Sequence, residues 1–215
     1  DEIVNEMIPA VAAEGLAEYV DIFCEEGFFS VEDSERIFEQ GIKYGMRPKV
    51  HANQMSFSGG VQVGVKYGAR SVDHLEYTSD VEFDVLKGSD TIATLLPGAT
   101  FFLKMDYAPA RSMIEKGVAV AIASNYNPVS CPSGDMKFMI ALCCLNMRML
   151  PEEVINCATI NGAFAMDLDK QFGSITRGKV ANLFITKEIP SYEFVPYSFS
   201  TPLVDTIILN GEIVK

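Results

Sequence analysis

The chain holds two histidines, and each closes a short apolar, strand-like run: His51 in KVHANQMSFSGG (residues 49–60) and His74 in SVDHLEY (residues 71–77). Imidazole is the commonest side-chain metal ligand and exchanges protons near neutral pH. A third polar group, Asn125 in IASNYNP, follows another apolar run. A hydrolytic metal site needs a few such ligands and an open position for water. One histidine and an asparagine are too few, so spacing alone gives a site face with an incomplete metal constellation.

The elements that must carry these groups are legible from the pattern. Short apolar runs recur at residues 20–24, 49–52, 71–75, 91–96 and 118–123, and helix-like segments fill the gaps. Ser30 with Asp33 can cap a helix through Lys43, ended by Gly45 and Pro48. SDVEFDVLKG and ARSMIEKG also run from turn residues to a glycine stop. Strands of this length alternating with helices predict βα units and a parallel sheet. An open doubly wound sheet is the alternative, but no Gly-x-Gly-x-x-Gly follows any strand, and polar residues gather where strands end. The pattern therefore predicts a partial (β/α)8 barrel, whose active site is built on the loops after the strands.

Residues 1–170 read as the C-terminal part of such a barrel, ending in two helices, SGDMKFMIALCCLNMRM and PEEVINCATINGAFAMDL. Residues 171–215 read as strands of a small, composite β subdomain. There GSITRGKVANLFIT suggests a turn then a strand, and LVDTIILNGEIVK a hairpin turning at Asn210-Gly211. A complete barrel takes about 250 residues, so the missing strands are expected upstream of Asp1, which itself opens inside a helical run.

The 215 residues are 48% hydrophobic with a formal charge of −12, which argues for a globular protein and against nucleic acid or an anionic membrane as partner. No apolar run approaches the ~20 residues that span a bilayer, and the acidic N-terminus is unlike a signal peptide. A cytoplasmic location is expected. Five cysteines, an odd number in apolar company, read as reduced core thiols. The Met-rich segment 136–149 reads as a packing face.

Five stretches together carry a family resemblance: VDIFCEEGFFS, KVHANQMSFSGGVQVGVKYGARSVDHLEYTSD, NYNP with the following SCPSGDM, ATINGAFAM, and GSITRGKVANLFI. They resemble the C-terminal half of the imidazolonepropionase family, within the amidohydrolase superfamily. The resemblance implies hydrolysis of the ring amide of 4-imidazolone-5-propanoate to N-formimidoyl-L-glutamate in histidine breakdown, with bound zinc or iron and a homodimeric full-length protein. It implies that His51 is a metal ligand and that Gln54, where many relatives have glutamate, contacts the substrate and orients water. His74 would polarise the ring carbonyl, and Asn127 would contact substrate.

Asn125 stands where the family has an aspartate that binds the metal and takes a proton from water; an amide does the first weakly and the second not at all. Val129 stands where a glycine is common, so strain from a positive φ is expected there. The family's His-x-His metal pair falls upstream of Asp1, and the chain by itself is expected to be inactive. Two rival readings are a non-catalytic homologue serving as a binding or scaffold barrel, and another cyclic amidohydrolase such as a dihydroorotase.

Overall fold

Alternation sets the strands. In β1 (Tyr19–Cys24) and β2 (Arg47–Ala52) the even-numbered residues Val20, Ile22, Cys24, Val50 and Ala52 are buried, while Asp21, Lys49 and His51 fall on the other face. β3 (Ser71–His74) and β4 (Ile92–Leu95) continue a parallel ladder in sequence order, with Phe23, His51, Asp73 and Thr94 in register. The computed structural model describes residues 1–214. The chain divides into two compact units, residues 1–95 with 112–119, and residues 96–111 with 120 onward.

In the first unit, the opening helix winds as a π-helix over Ile3–Met7 and continues as α1 (Ile8–Ala13). The helices α2 (Val31–Lys43), α3 (Gly60–Lys66) and α4 (Asp80–Lys87) follow β1, β2 and β3. Ser30 and Asp33 form the expected capping box on α2, and Ser79 with Glu82 forms another on α4. The apolar strand face is closed by glycines on α2 and α3. A Cβ at Gly60 would lie 2.4 Å from the Ala52 Cβ and 3.2 Å from that of Cys24, and one at Gly64 2.8 Å from Val50. Both Gly60 neighbours are fixed to the backbone, so α3 would have to lift off β2. Gly60→Ala is therefore expected to destabilise the protein by about 1–3 kcal/mol, read as a lowered denaturant midpoint at unchanged slope; a midpoint equal to wild type would show that α3 is not held this closely.

The second unit contains α5 (Pro97–Leu103), β5 (Val120–Ile122), α7 (Met136–Asn146), α8 (Pro151–Ala158) and α9 (Ile160–Ala165). The short helix α6 (Ala110–Glu115) lies at the junction in the chain. In α7, Met139 and Cys143 are fully buried, which bears out the packing reading, and all five cysteines are free. Residues 151–165 differ from the single helix expected there. The helix breaks at Thr159 (φ −117°, ψ −90°), where the Thr159 hydroxyl donates to the Ile155 carbonyl at 2.6 Å, a local bond that competes with the helical ladder. Gly173 crosses so near the break that a Cβ would lie 2.7 Å from the Ile160 Cα.

The C-terminal strands β6 (Leu183–Thr186), β7 (Val204–Leu209) and β8 (Glu212–Ile213) form an antiparallel sheet in that order, with α10 (Phe194–Tyr197) between the first two. The hairpin turns at Asn210 (φ 52°) and Gly211 (φ 84°), as a two-residue turn with both central residues left-handed requires. No helix among the described residues is long and apolar enough to cross a membrane.

Candidate active site

His51 is the penultimate residue of β2, and the alternation that buries Val50 and Ala52 turns its ring to the polar strand face. There Nδ1 meets the Asp21 carboxylate, at 3.1 Å from Oδ1 and 2.9 Å from Oδ2. In the neutral ring, a carboxylate partner places the hydrogen on Nδ1 and leaves Nε2 with its lone pair, the arrangement that prepares an imidazole for a metal. Burial alone would push the His51 pKa down. The hydrogen bond to Asp21 and the charges of Asp21 and Asp73 outweigh it and hold the imidazole above its ordinary value. Asp73, the register partner of His51 on β3, is itself pushed up by burial, against the pull of His51, Lys49 and the Ser71 hydroxyl, which donates at 2.6 Å.

His74 ends β3, 3% exposed, its ring centroid 5.5 Å from that of His51 and tilted by 53°. The two histidine rings are thus neighbours at adjoining strand ends, as their matching positions suggested. The His74 Nδ1 lies 3.6 Å from the buried Glu76 carboxylate and has no hydrogen-bond partner among the described residues. The backbone is strained at this point, with φ of 88° at His74 and 70° at Leu75; Asn53, after β2, and Asn125, after β5, are also left-handed at 54°. Such conformations cost on the order of 1–3 kcal/mol each and gather where a fold holds functional groups against their local preference.

Gln54 is buried in the loop after β2. Its backbone N–H donates to Glu25 Oε2 at 2.9 Å, and that of Met55 to the same oxygen at 3.0 Å. Neither Asp21 nor Glu25 was singled out by the sequence. The available signals were an acid in the middle of an apolar strand, on the same alternating face as His51, and a second acid directly at the strand end.

Asn125 and Asn127 belong to the other unit, on the segment that leaves β5. The Asn127 side chain is engaged within its own loop. Its amide donates to the Asn125 carbonyl at 2.7 Å and to the Ser130 Oγ at 2.9 Å, and its oxygen accepts from the N–H groups of Val129 and Ser130 at 2.9 and 2.8 Å. That Asx-type turn closes the loop without a left-handed residue at 129. Val129 is not among the residues with positive φ and is 79% exposed, so the strain expected there is absent; the left-handed residue of the segment is Asn125.

No group of three or more His, Cys, Asp or Glu side chains able to hold an ion occurs among the described residues. The described part supplies one imidazole with its second nitrogen already fixed, which fits a single position of a metal site.

Parallel βα units and polar groups at strand ends define the class. The chain matches the amidohydrolase family over residues 30–214 and belongs to it. The imidazolonepropionase of Christiangramia forsetii is 50% identical over 214 residues, which are 100% of this chain and 52% of that protein; the chain spans about half the length of the curated relatives it matches. Among solved structures, the A. niger ochratoxinase superposes with a TM-score of 0.78 at 18% identity, covering 99% of this chain and 55% of that one. An adenosine deaminase from Xanthomonas campestris with bound zinc gives 0.72 at 15%, covering 86% and 49%. These likenesses show the fold, a partial (β/α)8 barrel.

Proposed function

We propose that the chain is the C-terminal half of a metal-dependent hydrolase that opens the ring amide of 4-imidazolone-5-propanoate to give N-formimidoyl-L-glutamate. The observation that carries this reading is the pair of imidazoles at adjoining strand ends, one fixed by a carboxylate and the other buried beside it. Half of the residues being identical to an imidazolonepropionase along the whole chain supports that substrate over other cyclic amides.

His51 would hold a zinc or iron ion through Nε2, with Asn125 and residues outside this chain as further ligands. A bound ion supplies a Lewis acid and an activated water. His74 sits against the ring carbonyl as an electrophile, and Gln54 orients the substrate ring and the water. Asn127 would meet substrate by exchanging one of its loop's own hydrogen bonds. Asn125 offers an amide where proton transfer needs a carboxylate, so turnover in the natural protein is slow. The barrel portion ends near residue 170 and residues 171–215 belong to a composite β subdomain; the whole protein works as a cytoplasmic homodimer.

A second reading, a non-catalytic amidohydrolase homologue, is favoured by the amide at Asn125. The test is formation of N-formimidoyl-L-glutamate by the full-length protein that carries this chain, with and without a chelator. The expected result is slow turnover lost on chelation and restored by zinc or iron, and none from the 215-residue chain alone. A full-length protein loaded with metal yet making no product would establish the second reading.

A further inference from the structure

We infer that Glu25 is a positioning residue of the site: its buried carboxylate clamps the loop after β2 and fixes where Gln54 points. The inference rests on the reading of Gln54 as a substrate-facing group.

Glu25 is 3% exposed, and a carboxylate without water is unfavourable unless donors surround it. Here the donors come from two short segments. Oε2 accepts the N–H groups of Gln54 and Met55, and Oε1 accepts the Ser56 hydroxyl and, at 3.2 Å, the N–H of Glu26. Three of the four lie in consecutive residues of the loop that starts at the end of β2.

The clamp has a rigid base. Glu25 follows the last residue of β1, and its own backbone is held by the turn beyond: its N–H donates to the Phe29 carbonyl at 3.2 Å, and its carbonyl accepts from the Phe28 N–H at 3.0 Å. The loop is also tied on its other side. Asn53, fully buried and left-handed, donates from Nδ2 to the Tyr77 carbonyl at 2.8 Å, linking it to the segment after His74. Ser58 donates to the Asn53 Oδ1 at 3.1 Å. Glu25 thus joins the ends of β1 and β2 as Asn53 joins those of β2 and β3, and Gln54 stands between the two anchors.

A carboxylate is the only side chain of this reach that accepts on both oxygens. Glu25→Gln keeps size and shape but turns one pair of donors toward an NH2 group. In the full-length protein, hydrogen–deuterium exchange of residues 53–58 should then speed up by about tenfold or more, with residues 47–52 unchanged. The ratio kcat/KM on 4-imidazolone-5-propanoate should fall about 10- to 100-fold, mostly in kcat. Glu25→Asp, with the carboxylate on a shorter arm, should recover part of both losses.

Unchanged exchange in Glu25→Gln overturns the clamp. Faster exchange with kcat/KM within about twofold of wild type overturns the positioning role. Should Glu25→Gln not fold, Ser56→Ala, which removes one of the four bonds, is read by the same two measurements, with smaller effects expected in the same direction. A wild-type protein without turnover would refute the proposed function, and the exchange measurement would still decide the clamp.

Discussion

Asn125→Asp is expected to raise kcat of the full-length protein by about 10²- to 10⁴-fold, the usual worth of a positioned general base. The change is nearly isosteric and leaves the backbone undisturbed. Asn125 has φ 54°, and asparagine and aspartate are the two ordinary residues that best tolerate the left-handed region. The loop itself is braced by the Asn127 side chain and does not depend on the residue 125 side chain for its shape. Val129→Gly should add nothing, because Val129 carries no positive φ to relieve; single and double variants should agree within about twofold, the scatter expected of independent sites. The measurement is kcat and metal content for wild type, Asn125→Asp and the double variant at one pH. A wild type already as fast as Asn125→Asp would show that position 125 does not take the proton.

The second large effect is loss of metal in His51→Ala. Removing the carboxylate that holds a metal-ligating histidine typically costs about 10- to 100-fold in affinity, so removing the ligand itself should cost more than the Asp21→Asn change, and turnover should vanish with it. The comparison is made in the Asn125→Asp background, where there is a rate to lose. His74→Ala provides the contrast. It should keep the metal and lose rate, because its ring is buried beside His51 and is assigned to the carbonyl. Metal content by elemental analysis separates the three variants. If His51→Ala and His74→Ala hold metal equally well, the division of roles between the two histidines is wrong.

The sequence by itself determined the βα order, the strand cores, the cap on α2, the glycine stop of α4, the hairpin at Asn210-Gly211 and the matching strand-end positions that make the two histidines neighbours. All of these rest on local rules: alternation along a strand, a serine three residues before an acid, a turn that demands left-handed residues. It also carried the family, because the motifs around His51, His74 and Asn125 survive in order along the chain. It misjudged Val129, since whether that position needs a left-handed residue depends on the Asn127 side chain, which closes the turn another way. It ran one helix through Thr159, where the approach of Gly173 from 14 residues further along the chain accompanies a break.

Only the tertiary structure decided which acids matter. Asp21 and Glu25 are 30 and 29 residues from the groups they hold, His51 and Gln54, and the chain has many other acids of the same type. The parallel register between β1 and β2 brings Asp21 beneath His51 and the end of β1 beside the loop after β2. The orientation of an imidazole and the aim of a loop are fixed by hydrogen bonds across strands, and strand-to-strand register is a property of the folded sheet that no single stretch of sequence contains.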